Sequence, residues 1–183
     1  MRVASGKWRG RSLISPQGQN VRPTAGLVKE ALMDMLGARL PGASVLELFC
    51  GTGQLGIEAL SRGAACCVFA ESSPASCALT GKNLALLGQE AEVMLCDWQS
   101  AVSSLSARGR RFDIILADPP YSSGLYEDLE REIDRCSLLA PGGVLVLEHD
   151  KPLPPGVLPC YEILRSRAYG RRSLLLLTPN KEA

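Results

Sequence analysis

Residues 112–121 run from an unbroken apolar, β-branched stretch, Phe112-Asp113-Ile114-Ile115-Leu116-Ala117, into a carboxylate, two prolines and an aromatic ring, Asp118-Pro119-Pro120-Tyr121. The apolar part reads as a strand buried on both faces, because parallel strands covered by helices lose polar alternation. Pro119 and Pro120 cannot donate ladder hydrogen bonds, so pairing ends there and the chain turns. That turn leaves Asp118 and Tyr121 at the carboxyl edge of a sheet, where ligands of open α/β folds bind.

The residue types at this edge suit a planar base with an exocyclic amino group. A carboxylate and the Pro119 carbonyl accept its two N–H hydrogens while Tyr121 stacks on the ring. Drawing on those hydrogens keeps the nitrogen lone pair out of the ring and makes the nitrogen nucleophilic. A strand-ending turn with a surface acid would account for a bare D-P-P; the buried strand before it and Tyr121 after it favour a binding corner. The tetrapeptide resembles the D/N/S-P-P-F/Y/W signature of amino-methyltransferases, which use S-adenosylmethionine.

A second corner lies upstream. Residues 44–63 give a strand, a glycine turn and a helix, with Gly51, Gly53 and Gly56 matching G-x-G-x-x-G. Glu71 follows Gly51 by twenty residues at the end of another apolar run, so the dinucleotide fingerprint is literally satisfied. Glu47, on the strand entering the turn, argues against it, because its carboxylate would repel a pyrophosphate. A sulfonium and an ammonium welcome the same acid, and the glycines let backbone approach such a ligand closely. Glu71 is placed for ribose hydroxyls under either reading. Asp97 can accept from an adenine amino group with Trp98 covering the ring, and can equally cap the helix expected over 98–107.

With 183 residues the chain suits one domain with a sizeable core. Twenty basic against nineteen acidic residues leave net charge silent about partners, but the distribution is not silent. Arg2, Lys7, Arg9, Arg11, Arg22 and Lys29 all precede the first acid, Glu30, and Arg165, Arg167, Arg171 and Arg172 cluster near the other end. Either cluster alone reads as solvated charge; two of them flanking a base-binding turn point to a phosphate-contacting face. Trp8, amid Lys7, Arg9 and Arg11, suits either stacking on nucleic acid or packing onto the main domain. Seven cysteines without a C-x-x-C pair, no leader and no membrane-length apolar run point to a reduced cytoplasm. The single histidine, His149, makes a zinc site or a histidine-based triad improbable and reads as a strand-end surface residue.

The remaining punctuation predicts a β-hairpin over 1–14, a loop over 15–23 and a helix capped by Thr24. Further helices are expected over 75–87, 98–107 and 125–139. Strands are expected over 91–95 and 143–147, then an antiparallel pair near 161–167 and 173–178 across Tyr169-Gly170.

Across nearly its whole length the chain resembles the bacterial small-subunit (16S) ribosomal RNA (guanine-N2)-methyltransferases. The resemblance rests on Gly6-Lys7-Trp8-Arg9-Gly10-Arg11, Arg22-Pro23-Thr24, the 47–63 block with Glu58-Ala59-Leu60-Ser61-Arg62-Gly63, residues 118–121, and Tyr169-Gly170. The two N-terminal pieces are more specific to that family than the glycine turn. The chain departs from the family at Ala25-Gly26-Leu27, where T-D-R is usual, and at Ser72-Ser73, where a further charge is common. The resemblance implies a Rossmann-like class I methyltransferase fold: a seven-stranded, mainly parallel α/β sheet with a C-terminal antiparallel pair and a small N-terminal hairpin. It implies S-adenosylmethionine as donor, bound by Glu47, Gly51, Gly53, Glu71, Asp97, Trp98 and Asp118. Asp118, Pro119, Pro120 and Tyr121 are then the catalytic corner, with methylation at a guanine N2. Residues 1–23 become an RNA-contacting extension, through Arg2, Lys7, Trp8, Arg9, Arg11 and Arg22, on a 24–183 methyltransferase domain. The expected partner is ribosomal RNA or an assembling small subunit, with no metal, no membrane and a monomeric protein. Alternatives are an amino-methyltransferase acting on DNA adenine or cytosine or on another RNA, a protein glutamine methyltransferase, a non-catalytic RNA-binding module and a dinucleotide-dependent oxidoreductase.

Overall fold

The unbroken apolar runs are buried on both faces in the computed structural model, which describes residues 1–16, 23–120, 125–149, 158–170 and 172–180. In chain order the elements are α1 (Pro23–Leu36), β1 (Ser44–Leu48), α2 (Gln54–Ser61), β2 (Cys66–Glu71), α3 (Pro74–Leu86) and β3 (Glu92–Leu95). They continue with α4 (Trp98–Ala107), β4 (Phe112–Ala117), α5 (Tyr126–Arg135), β5 (Leu139–His149), β6 (Tyr161–Tyr169) and β7 (Arg172–Pro179). The strands form one seven-stranded sheet in the order β3-β2-β1-β4-β5-β7-β6. All neighbours pair in parallel except β7, which is antiparallel to both β5 and β6.

Alternate strand residues face opposite layers. Val45, Phe69, Ile114 and Leu116 pack with Leu32 of α1, Ile57 and Leu60 of α2 and Leu84 of α3. Leu46, Val68, Ile115 and Leu145 pack on the other side with Leu105 of α4 and Ile133 of α5. From β1 the chain first winds outward through β2 to β3, and then returns to the other side of β1 to place β4. The order therefore reverses between β1 and β4, which opens a crevice above their carboxyl ends. The glycine turn and the Asp118 corner flank it.

Several local expectations change. The hairpin over 1–14 is reduced to a single antiparallel bridge, Arg2 to Ser12, with Val3 and Leu13 buried in the core. α1 begins at Pro23, whose missing N–H is tolerated at a first helical position, so Thr24 lies inside the helix rather than at its cap. β5 starts four residues early, because Leu139 already pairs with Phe112 ahead of a bulge at residues 140–143. His149 is buried, not a surface residue: Tyr126 at the start of α5 covers it, the rings 6.4 Å apart and edge-on. Lys29 also leaves the expected basic face. It is buried, its Nζ donating to the Arg2 carbonyl at 2.9 Å and lying 3.3 Å from Glu58. Among the described residues no helix is long and apolar enough to cross a membrane.

Candidate functional site

Glu47 builds the first half of the site. The residue before α2 is Gly53, at φ 73°, which offers no capping side chain, so the helix begins with unsatisfied amides. Glu47 Oε2, reaching across from β1, accepts the Gly56 N–H at 2.8 Å. Gly56 permits this approach, since a Cβ there would sit 2.7 Å from the same oxygen and 2.5 Å from the Phe69 ring. Burial pushes the Glu47 carboxyl up to about 8, while the amides of Gly56 and Leu55 pull the other way. Glu71 braces the turn from β2: Oε2 accepts the Gly51 N–H and Oε1 the Ser73 N–H, both at 2.8 Å. From α3, Thr80 Oγ1 donates to the Gly51 carbonyl at 3.0 Å, and Asn83 Nδ2 to that of Thr52, also at 3.0 Å. Between strand and turn, Phe49 takes φ 57°, a left-handed conformation disfavoured for a bulky residue.

The Asp-Pro-Pro corner follows β4 directly. Asp118 is half-buried, Pro119 buried and Pro120 exposed. Burial first, and then the neighbouring Glu148, raise the Asp118 carboxyl to about 7; Arg172 acts in the opposite sense. Ala117 pairs with Leu147, so Asp118 and Glu148 are the next residues along adjacent parallel strands. Arg172 Nη1, at the start of β7, donates to Glu148 Oε1.

The two corners share one cavity of about 570 Å³, whose wall includes Glu47, Phe49, Gly51, Asp118, Glu148 and Arg172. Of the expected cofactor residues, Glu47, Gly51 and Asp118 reach this wall. Gly53 and Glu71 stand behind it, shaping the turn. Asp97 and Trp98 are not brought to it. Asp97 is exposed and caps α4, accepting from the Ser100 N–H at 2.7 Å and its Oγ at 3.1 Å, which hold its carboxyl below the usual range. Trp98 is buried, its ring 6.5 Å from that of Phe49, so Phe49 is the aromatic that meets the cavity. Tyr121 and Arg22 lie outside the described residues. Phe49 and Glu148 were missed in the sequence, and Arg172 was expected on a phosphate-contacting face rather than on the cavity wall. Only Phe49 carried a signal, an aromatic at the strand end just before the glycine turn.

The N-terminal arm is seated on the far end of α2. Glu58, buried, accepts the N–H groups of Ala4 and Ser5 at 2.8 and 2.9 Å and pairs with Lys29 and Arg62. Ser61 Oγ donates to the Ser5 carbonyl at 2.6 Å and accepts the Trp8 N–H at 3.0 Å. Gly6, at φ 83°, passes so close that a Cβ would lie 1.8 Å from the Ser61 carbonyl oxygen. Arg2, Lys7, Arg9 and Arg11 are exposed on this arm, and Trp8 is half-buried with the Lys7 ammonium 4.1 Å from its ring centre. The C-terminal cluster disperses: Arg172 joins the cavity, whereas Arg165 and Arg167 line a groove with Glu30 and Asp34 of α1. Arg171 lies outside the described residues.

The family profile described as conserved hypothetical protein 95 matches residues 1–178. Bacillus subtilis YlbH, provisionally named an rRNA methyltransferase, is 36% identical over 93% of this chain and 94% of its own. Ribosomal RNA small subunit methyltransferase D of Escherichia coli K12 is 34% identical, over 82% of this chain and 75% of its own. The solved structure of Escherichia coli yhhF, provisionally named a methyltransferase, superposes with a TM-score of 0.87 at 32% identity, covering 100% of this chain and 99% of that one.

Proposed function

This chain belongs to the conserved hypothetical protein 95 family, and on that premise we propose that it transfers a methyl group from S-adenosylmethionine to the exocyclic N2 of a guanine in small-subunit ribosomal RNA. The reading is carried by one observation: the glycine turn with its buried Glu47 and the Asp-Pro-Pro corner open into the same cavity at the sheet's reversal point. The names of the Bacillus subtilis and Escherichia coli relatives support an RNA substrate.

The residues fit a cationic cofactor. The Gly56 amide at the start of α2, where a pyrophosphate would bind in a dinucleotide enzyme, is occupied by the Glu47 carboxylate. An acid in that position repels phosphate and attracts an ammonium or a sulfonium, which disfavours the oxidoreductase alternative. Glu47 and the Gly51 backbone would hold the amino-acid end, and Glu71, behind the wall, would keep the turn in shape rather than touch the ribose. The bound cofactor supplies an electrophilic methyl group on a sulfonium that departs neutral.

The protein's own part is positioning. Extruding a guanine from its stack costs a few kcal/mol. Stacking on Tyr121 offsets about 1–3 kcal/mol of that by analogy with single-strand binders. Asp118 and the Pro119 carbonyl accept the amine hydrogens and aim the nitrogen lone pair at the methyl group, so proximity provides most of the acceleration. Asp118 also lies where it can take the proton that the methylated amine sheds. Residues 1–23 then serve as the RNA-contacting extension of the 24–183 catalytic domain.

Asp118→Ala is expected to abolish transfer of labelled methyl to small-subunit RNA while calorimetry still detects S-adenosylmethionine binding. Full turnover by that variant would remove Asp118 from the mechanism.

A further inference from the structure

Four adjacent strands each contribute one charged side chain to the cavity wall: Glu47 from β1, Asp118 beyond β4, Glu148 from β5 and Arg172 from β7. Their order across the sheet is the strand order β1-β4-β5-β7. Asp118 and Glu148 follow the Ala117–Leu147 pair, and residues at equal register on parallel strands point to the same face. Glu148 is 5% exposed, lines the cavity and pairs with Arg172. Moving away from the cofactor side, the wall therefore presents an acceptor at Asp118, a second acceptor at Glu148 and a donor at Arg172.

Guanine carries the complementary series along one edge: the N2 amino donor, the N1–H donor and the O6 acceptor. The other bases with exocyclic amines do not. Adenine sets a bare N1 acceptor beside its amine, and cytosine a bare N3, so either would aim a lone pair at the Glu148 carboxylate. A site built to receive a hydrogen rejects analogues that lack it, because its buried polar groups are left unpaired.

We propose that Glu148 and Arg172 read the N1–H and O6 of the target base and so restrict this enzyme to guanine among the amino-bearing bases. The inference rests on the reading of the Asp118 corner as a site of amine methylation. It gives the pair a purpose beyond neutralising one another, and it separates this chain from enzymes that use a similar corner on adenine or cytosine. Nothing in the ion pair itself opposes this: a carboxylate offers about four lone-pair sites and a guanidinium five N–H donors, so each can serve its partner and a base together.

The test compares guanosine with 2-aminopurine riboside at the methylated position of a small-subunit RNA. The analogue keeps the 2-amino group but has a bare N1 and no O6. For the unaltered protein we expect kcat/KM about 10⁴-fold or more in favour of guanosine, the scale on which a site built to hydrogen-bond a group rejects an analogue lacking it. Glu148→Gln, whose amide can donate to a bare N1, is expected to narrow that ratio at least about tenfold by losing guanosine and gaining 2-aminopurine. A side chain that merely supported the fold would lower both rates together. Equal use of the two bases by the unaltered protein, or an unchanged ratio in Glu148→Gln, overturns the inference while leaving amine methylation intact. Failure to methylate either base with S-adenosylmethionine present removes the parent reading and this one with it.

Discussion

Under the proposed function Glu47 attracts a cation, yet it is placed where acidity is costly. Its carboxyl caps α2 from inside the core, and burial raises it from 4.5 to about 8. A carboxyl raised in the folded state makes that state bind more protons than the unfolded chain between those values. Its contribution to stability is then fully present below the unfolded value and is lost as pH rises through about 8. We expect the midpoint of thermal unfolding of the ligand-free protein to fall as pH is raised from 5 to 8. Glu47→Gln, which keeps an acceptor for Gly56, should flatten the curve in part. The residual slope belongs to Asp118, raised to about 7 with the same sign, and to Glu130, which burial also raises. A melting midpoint that rises with pH over this interval in the unaltered protein would contradict the placement of both acids. A cationic ligand favours ionised Glu47, so S-adenosylmethionine is expected to stabilise the protein most at the alkaline end.

At the scale of elements, the parts that could be read in advance are those whose signals are local. α4 spans Trp98–Ala107 because Asp97 supplies its cap and the chain then runs to the Gly109 turn, all within a dozen residues. The corner after β4 was legible for the same reason, a buried run halted by two prolines. The pairing of Glu148 with Arg172 was not legible: they stand 24 residues apart, and meet only because β7 inserts between β5 and β6. Glu58 was hidden differently. A glutamate four residues before Arg62 reads as a solvated helical pair, and nothing in α2 announces that Ala4 and Ser5 will descend on it. Its consequence is large. Lys29 is 5% exposed and depends on Glu58, so Glu58→Ala leaves a buried cation without its acid, a loss of about 3–5 kcal/mol. Urea denaturation measures it; a change below about 1 kcal/mol would mean that water reaches Lys29, on the scale of exposed pairs.

For the molecule as a whole, a net charge of +1 conceals an arm on which every charged side chain is basic. α2 joins that arm to the cavity, holding Glu47 at its first turn and the arm at Glu58 and Ser61. Asn83 makes a second link, accepting from the Ile14 N–H at 2.7 Å while donating to the Thr52 carbonyl in the glycine turn. A phosphate contact made by such an arm fixes the RNA in register with the cavity, whereas a loosely tethered arm would add affinity without aim. Arg2, Arg9 and Arg11 make no ion pair among the described residues, which leaves them able to displace counterions from RNA. Each phosphate neutralised contributes about 0.7 to 0.9 to the slope of log affinity against log salt. Replacing Arg9 and Arg11 together with alanine is therefore expected to flatten that slope by about 1.5, with S-adenosylmethionine affinity unchanged. An unaltered slope would turn this face of the arm away from the RNA, and the rigid coupling through α2 would then serve the fold rather than the substrate.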